Sequence, residues 1–191
     1  RINVYGERRG ILVEHYIISS GLREIIEGTA IAKDFTHIYA SSFYYNEHGE
    51  PCWPAQVINY TNKTQFLFRI EKGILDINDN AVNDHFAEGE LRVPFRNIVY
   101  IGDSATDIPC MRLVNSLGGH SVGVYDLENA ASKDTVCRMI RDERIRYYVP
   151  ADYTKGSEMD ILIHRIIDKT AAYEVLEEKH LRDRKEAMAK Y

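Results

Sequence analysis

The stretch N-I-V-Y-I-G-D-S-A-T-D-I-P-C-M, Asn97 to Met111, decides how the rest of the chain is read. A short apolar run, Ile98 to Ile101, is closed by Gly102 and followed at once by two acids four apart, Asp103 and Asp107. An apolar helical pattern then continues through Leu113 and Val114. The spacing predicts a buried strand that delivers two carboxylates to its C-terminal end. Gly102 lets the backbone turn sharply, and Asp107 stands where it can cap the following helix. Pro109 fits a first turn, where no N–H is needed. Two readings of the acid pair stand side by side. Hard carboxylates in one tight turn make a seat for Mg²⁺, which takes few protein carboxylates and fills its shell with water and phosphate oxygens. The same residues also make an ordinary strand, turn and Asp N-cap.

Around this stretch the 191 residues have the composition of a globular protein, 45% hydrophobic and 28% charged. They are enough for a single domain that buries roughly 70% of its unfolded surface. With 24 basic and 29 acidic side chains the net charge is −5, so no basic surplus points to nucleic acid, and phosphate chemistry would need local positive charge or a metal. Cys52, Cys110 and Cys137 form no C-x-x-C and leave an odd one over. They read as packed thiols in a reducing, cytoplasmic setting. No apolar run approaches the ~18 residues of a membrane span, and no signal peptide opens the chain.

Upstream, Arg8 and Arg9 followed by Gly10 read as the end of a helix for which the chain supplies barely two turns. The first residue is Arg rather than Met. The expectation is a chain that starts partway through a helix, with an N-terminal portion of the natural protein absent. Ile11 to Ser19 is a β-branched apolar run suited to a buried parallel strand. It ends in Ser19-Ser20-Gly21, before a helix that buries Leu22, Ile25 and Ile26. Hydroxyls and free N–H groups between a strand end and a helix start make an anion site, although a serine there is also an ordinary turn former. A second strand is expected over His37 to Phe43. A hairpin follows, turning at Asn46-Glu47-His48-Gly49 and returning near Trp53 to Tyr60.

Asn62-Lys63-Thr64-Gln65 has a capping-box pattern, with Asn62 as N-cap and Phe66, Leu67, Ile70 and Ile74 as the buried stripe. Lys63 then falls in the first turn, where the macrodipole disfavours a cation by roughly 0.3–1 kcal/mol. A lysine and several helix N–H groups pointing together would suit an anionic ligand, and the alternative is a plain surface lysine. The polar segment Asp76 to Glu90 lacks the ordered acids of a calcium loop and reads as a surface connection. Further strands are expected near Ser121 to Tyr125 and Ile145 to Val149, with a helix from Asn129 to Arg141 between them. Ser157 starts a long helix that packs through Ile161, Leu162, Ile166 and Ile167 and thins to charges beyond Leu176, with Glu178 and Arg182 at i, i+4.

Alternating strands and helices predict one three-layer α/β domain over residues 1–191 with a mainly parallel sheet, ending in the long helix of residues 157–191. Ligands in such sheets gather beyond the C-terminal strand ends, where Ser19, Lys63, Asp103 and Asp107 all fall. The motifs I-I-S-S-G at Ile17 to Gly21, N-K-T at Asn62 to Thr64 and I-G-D-S-A-T-D at Ile101 to Asp107 resemble the second, third and fourth motifs of the haloacid dehalogenase superfamily. Within it the chain is most similar to phosphoserine phosphatase-type hydrolases. The resemblance implies a Mg²⁺-dependent phosphomonoesterase acting on a small phosphorylated metabolite. Ser19 and the N–H of Ser20 would hold the phosphoryl oxygens, and Lys63 would neutralise an aspartyl-phosphate. Asp103 and Asp107 would form the metal half of the site, Asp103 as ligand and Asp107 positioning the metal's water shell and Lys63. A response-regulator receiver uses similar groups, but with the acids first and the lysine last.

The resemblance also implies a nucleophilic aspartate in a D-x-D-x-T motif on the central strand, and no such motif occurs in these 191 residues. In such proteins that strand and a small helical cap precede the serine motif. The chain is therefore expected to be the later part of a phosphatase core, inactive in isolation. Its sheet would lack the strand between the Val13 to Ser19 and Asn97 to Gly102 strands. Self-association, or complementation by the upstream segment, would fill that gap. The alternative expectation is a catalytically silent phosphate-binding or regulatory domain.

Overall fold

A computed structural model describes residues 1–189, the side chain of Glu88 excepted. In chain order its elements are α1 (Ile2–Glu7), β1 (Tyr16–Leu22), α2 (Arg23–Glu27), β2 (His37–Tyr45), β3 (Pro51–Gln56), α3 (Thr64–Lys72), β4 (Val99–Gly102), α4 (Ile108–Ser116), β5 (His120–Tyr125), α5 (Ala130–Arg141), β6 (Tyr147–Pro150) and α6 (Glu158–Met188). This is a mixed α/β chain with two three-stranded sheets. One has the order β1-β2-β3, with β1 and β2 parallel and β3 antiparallel; the other, β4-β5-β6, is parallel throughout.

The chain divides into two compact units. The smaller comprises Arg1–Glu14 and the residues from Asp152 onward. In it Tyr5 donates its hydroxyl to Asp168 at 2.9 Å, Arg9 pairs with the same carboxylate, and the Arg9 guanidinium lies 3.6 Å over the Tyr5 ring. Ser157 caps α6 by accepting the Asp160 N–H. Met159, Ile166 and Ile167 are buried, whereas Ile161, expected inside, is 52% exposed because it falls on the opposite face of the helix. Glu178 and Arg182 pair at 3.6 Å as their spacing predicts.

The larger unit, His15–Ala151, holds both sheets. Its strands begin and end where partners do rather than where apolarity does. Residues 11–15 are irregular, and β1 starts at Tyr16, which pairs with His37. β1 then runs on to Leu22, so Ser19 and Ser20 lie inside it, at an irregularity in the register between Ile18 and Leu22. β2 extends to Tyr45 and forms the expected hairpin with β3. That return strand stops at Gln56, short of Tyr60, where asparagine side chains take over the backbone bonding: Asn62 donates its amide to Val57 O and accepts from the Asn59 N–H, both at 2.8 Å.

Two apolar clusters fill this unit. One gathers Leu67, Ile98, Tyr100, Cys110, Met111, Val114 and Val136; the other gathers Tyr39, Ile58, Phe66 and Ile70. Ile18 of β1 packs against both. Among the described residues no strand pairs with β1 on the side away from β2, or with β4 on the side away from β5. No helix of the described residues is long and apolar enough to cross a membrane.

Candidate active site

The centre of the site is an ion pair inside the fold. Lys63 Nζ donates to Asp107 Oδ1 at 2.7 Å, and the two residues are 5% and 6% exposed. A pair this deep is costly to desolvate, and losing either member leaves a charge with no counterion. Its geometry follows from two local departures from the expected caps. Asn62 turns back onto the preceding loop, so no capping box forms and Lys63 itself becomes the N-cap residue of α3. Asp107 closes a 3₁₀ turn, Ala105–Asp107, and precedes α4 without capping it through its side chain. Pro109 occupies the first turn of α4 as predicted.

Freed from capping, the Asp107 carboxylate collects three side-chain donors. Oδ1 accepts from Lys63 and from the Tyr100 hydroxyl at 2.8 Å, and Oδ2 accepts from Ser104 Oγ at 3.1 Å. Gly102 makes room for it: a Cβ there would lie 2.8–2.9 Å from Asp107 Oδ2, Cβ and Cγ, so the carboxylate rests directly on the strand-end backbone. Tyr100, buried on β4, holds its proton. Burial pushes its phenol well above the ordinary tyrosine range, with the neighbouring Cys110 thiol and Asp107 carboxylate adding to the effect. Burial likewise pushes the Cys110 thiol up to about 11, against an opposing pull from the Tyr100 hydrogen bond and the Lys63 charge.

The remaining candidates stand apart from this knot. Asp103 follows β4 and is exposed, with no hydrogen-bond or ion-pair partner among the described residues. Ser19 accepts the Gly21 N–H at 3.0 Å, the local turn bond of a short hydroxyl. Ser20 is exposed, and its carbonyl accepts from Ser41 Oγ at 3.2 Å. The structure thus brings Lys63 and Asp107 into contact, and places Ser19 and Ser20 within β1 rather than at its end and Asp103 just after β4, without a bond from any of them to that pair. Tyr100 and Ser104, which touch Asp107 directly, are invisible in the sequence. Tyr100 reads there as one more apolar residue of a buried strand, and Ser104 as a turn residue.

Among the described residues no group of three or more His, Cys, Asp and Glu side chains could by itself hold a metal ion. Asp107 spends both its oxygens on donors from the chain, which leaves Asp103 as the one uncommitted carboxylate of the pair. A single carboxylate suits a Mg²⁺ that draws its other ligands from water and phosphate.

No family model matches the chain. An uncharacterized protein of Borreliella burgdorferi is 24% identical to it over 161 residues, covering 77% of this chain and 55% of that protein. The chain therefore spans about half the length of the curated relative it matches.

Proposed function

We propose that this chain carries the phosphate- and metal-binding part of a Mg²⁺-dependent phosphomonoester hydrolase of the haloacid dehalogenase superfamily, built on a three-layer α/β core and acting on a small phosphorylated metabolite. The observation that carries the reading is the buried Lys63–Asp107 pair. Among the described residues Lys63 Nζ donates one hydrogen bond, so two of its N–H groups remain for an anionic ligand. Phosphoryl transfer asks for that kind of site, since its demands are charge neutralisation and positioning.

In the proposed reaction an aspartate from outside these 191 residues attacks phosphorus in line. The ester P–O bond breaks, the leaving oxygen takes a proton, and water then cleaves the aspartyl-phosphate to release phosphate. Lys63 offsets the negative charge of the phosphoryl oxygens and Asp107 fixes Lys63. Ser19 and Ser20 supply a hydroxyl and an N–H to the same oxygens. Asp103 would hold Mg²⁺, which when bound neutralises phosphoryl charge. A strand carrying the attacking aspartate would sit against the free edges of β1 and β4, and it is the partner this reading requires. Without it the chain is inactive.

The test is hydrolysis of p-nitrophenyl phosphate with Mg²⁺ by the protein that includes any coding sequence preceding Arg1. Activity there, lost in Asp103→Ala and in Lys63→Ala, is the expected result. Activity unchanged in both variants overturns the assignment. The absence of D-x-D-x-T within this chain favours one second reading, a silent phosphate-binding or regulatory domain. That reading is selected if the upstream coding sequence also lacks the motif and phosphate still binds.

A further inference from the structure

We infer that Tyr100 is a positioning residue for this site. By sharing Asp107 Oδ1 with Lys63 it keeps that carboxylate from fully neutralising the ammonium, and so leaves Lys63 its charge for an anion. The inference rests on the phosphatase reading for the identity of the anion, and on geometry for the rest. Tyr100 is 8% exposed on the middle of β4, and its ring joins a mainly apolar cluster, with the Cys110 thiol beside it, whose space a phenylalanine ring would also fill. The hydroxyl is what a phenylalanine lacks, and a buried hydroxyl must find a partner. Its partner is the very oxygen that receives Lys63: the two donors stand 2.8 and 2.7 Å from Asp107 Oδ1.

A lone pair given to one donor is less available to the other. Oδ1 therefore holds the ammonium less tightly than an unshared carboxylate oxygen would. Ser104 draws charge from Oδ2 in the same sense, and Gly102, having no Cβ, leaves the carboxylate room to take this position. Asp107 in this arrangement fixes where Lys63 sits without consuming its charge. The donor is also a durable one, since burial beside Cys110 and Asp107 keeps the phenol protonated.

The experiment grades the donor at position 100 while leaving the ring in place: phenylalanine has none, tyrosine is native, and 3-fluorotyrosine has a stronger one. Two readouts are taken on each protein: the affinity for inorganic phosphate in the presence of Mg²⁺, by calorimetry, and the ¹⁵N-detected proton exchange of the Lys63 ammonium without ligand. Phosphate affinity is expected to fall on the order of tenfold in Tyr100→Phe and to rise with 3-fluorotyrosine. Lys63 ammonium exchange is expected to slow with phenylalanine, where the ion pair tightens, and to quicken with 3-fluorotyrosine. A residue that only fills space gives equal values across the series, and that result overturns the inference. The fluorinated protein keeps every native bond and decides the matter if Tyr100→Phe does not fold. If phosphate binds to none of the three, the phosphatase reading fails while the exchange order still decides the role of Tyr100.

Discussion

At the scale of single residues, the pair at the centre of the site is a liability in stability terms. Lys63 and Asp107 are both buried, and removing the lysine leaves the carboxylate without its counterion. Lys63→Met is therefore expected to lower unfolding free energy by about 3 kcal/mol. Asp107→Leu alone is expected to cost a similar amount, and the double variant much less than the sum, as a double-mutant cycle in urea will show. Additive losses would mean that the pair contributes no coupling. Cys110 makes a separate statement about pH. Its thiol is raised in the fold from 9.0 to about 11, first by burial. The unfolded chain therefore loses that proton before the folded one does. Stability is intact below pH 9 and falls as pH rises toward 11. Tyr39, raised from 10.0 to about 12 by burial, extends the same fall to higher pH. Urea midpoints should drop across this window, and Cys110→Ala should flatten its lower part. The two acids and the lysine were legible as site candidates because charged residues at strand and helix ends stand out in sequence. Tyr100 was not, since an apolar pattern cannot tell a phenol that fills space from one that donates a bond.

At the scale of elements, α3 organises the longest irregular segment of the chain. Arg69, buried on that helix, donates to the carbonyls of Asp76 at 2.6 Å, Ile77 at 2.8 Å and Asp79 at 3.2 Å, while Lys72 donates to those of Val82 and Asp84. The loop thus takes its backbone bonds from two cations of the helix it follows, after Gly73 ends that helix in the left-handed region at φ 74°. Arg69→Ala should strip several carbonyls of their donors at once, costing about 3 kcal/mol and opening the segment from Asp76 to Asp84 to limited proteolysis. Arg69→Lys should restore little, because one ammonium cannot reproduce the planar fork. An Arg69→Lys protein as resistant as the native one would show that charge alone holds the loop. The order of elements was legible throughout from apolar runs and turn residues. Their ends were less so, and the misses share one cause. Ile11 looked like the start of a strand, but a strand begins where a neighbour begins, at the Tyr16–His37 pair. Asn62 and Asp107 looked like caps, but each found a better partner: a loop carbonyl in one case and a buried ammonium in the other.

At the scale of the molecule, the four sheet edges of the larger unit are not alike. β3 carries Pro51 and Pro54, and β6 ends on Pro150. Prolines deny N–H groups to any incoming strand and are a common means of closing an edge. β1, reading Y-I-I-S-S-G-L, and β4, reading V-Y-I-G, carry neither proline nor charge. Ile101, in the second of them, is left 40% exposed. These two strands have the composition of interior strands and the pairing of edge strands, which is the physical ground for placing an added strand beside them. Hydrogen exchange will separate the alternatives. In the 191-residue chain β5 is paired on both sides and buried along its length, so its amides are expected to exchange slowest of any strand. Those amides of β1 and β4 that point away from β2 and β5 and are not taken by a side chain should exchange orders of magnitude faster than their alternate neighbours, since no strand of the described residues pairs with them. If a segment preceding Arg1 supplies the proposed strand, the fast set should fall to the rate of β5 on both strands together, because one strand inserted there would satisfy both edges. Protection gained on β1 alone would instead mean an ordinary edge addition, leaving the two sheets separate and the Lys63–Asp107 pair without an attacking group beside it.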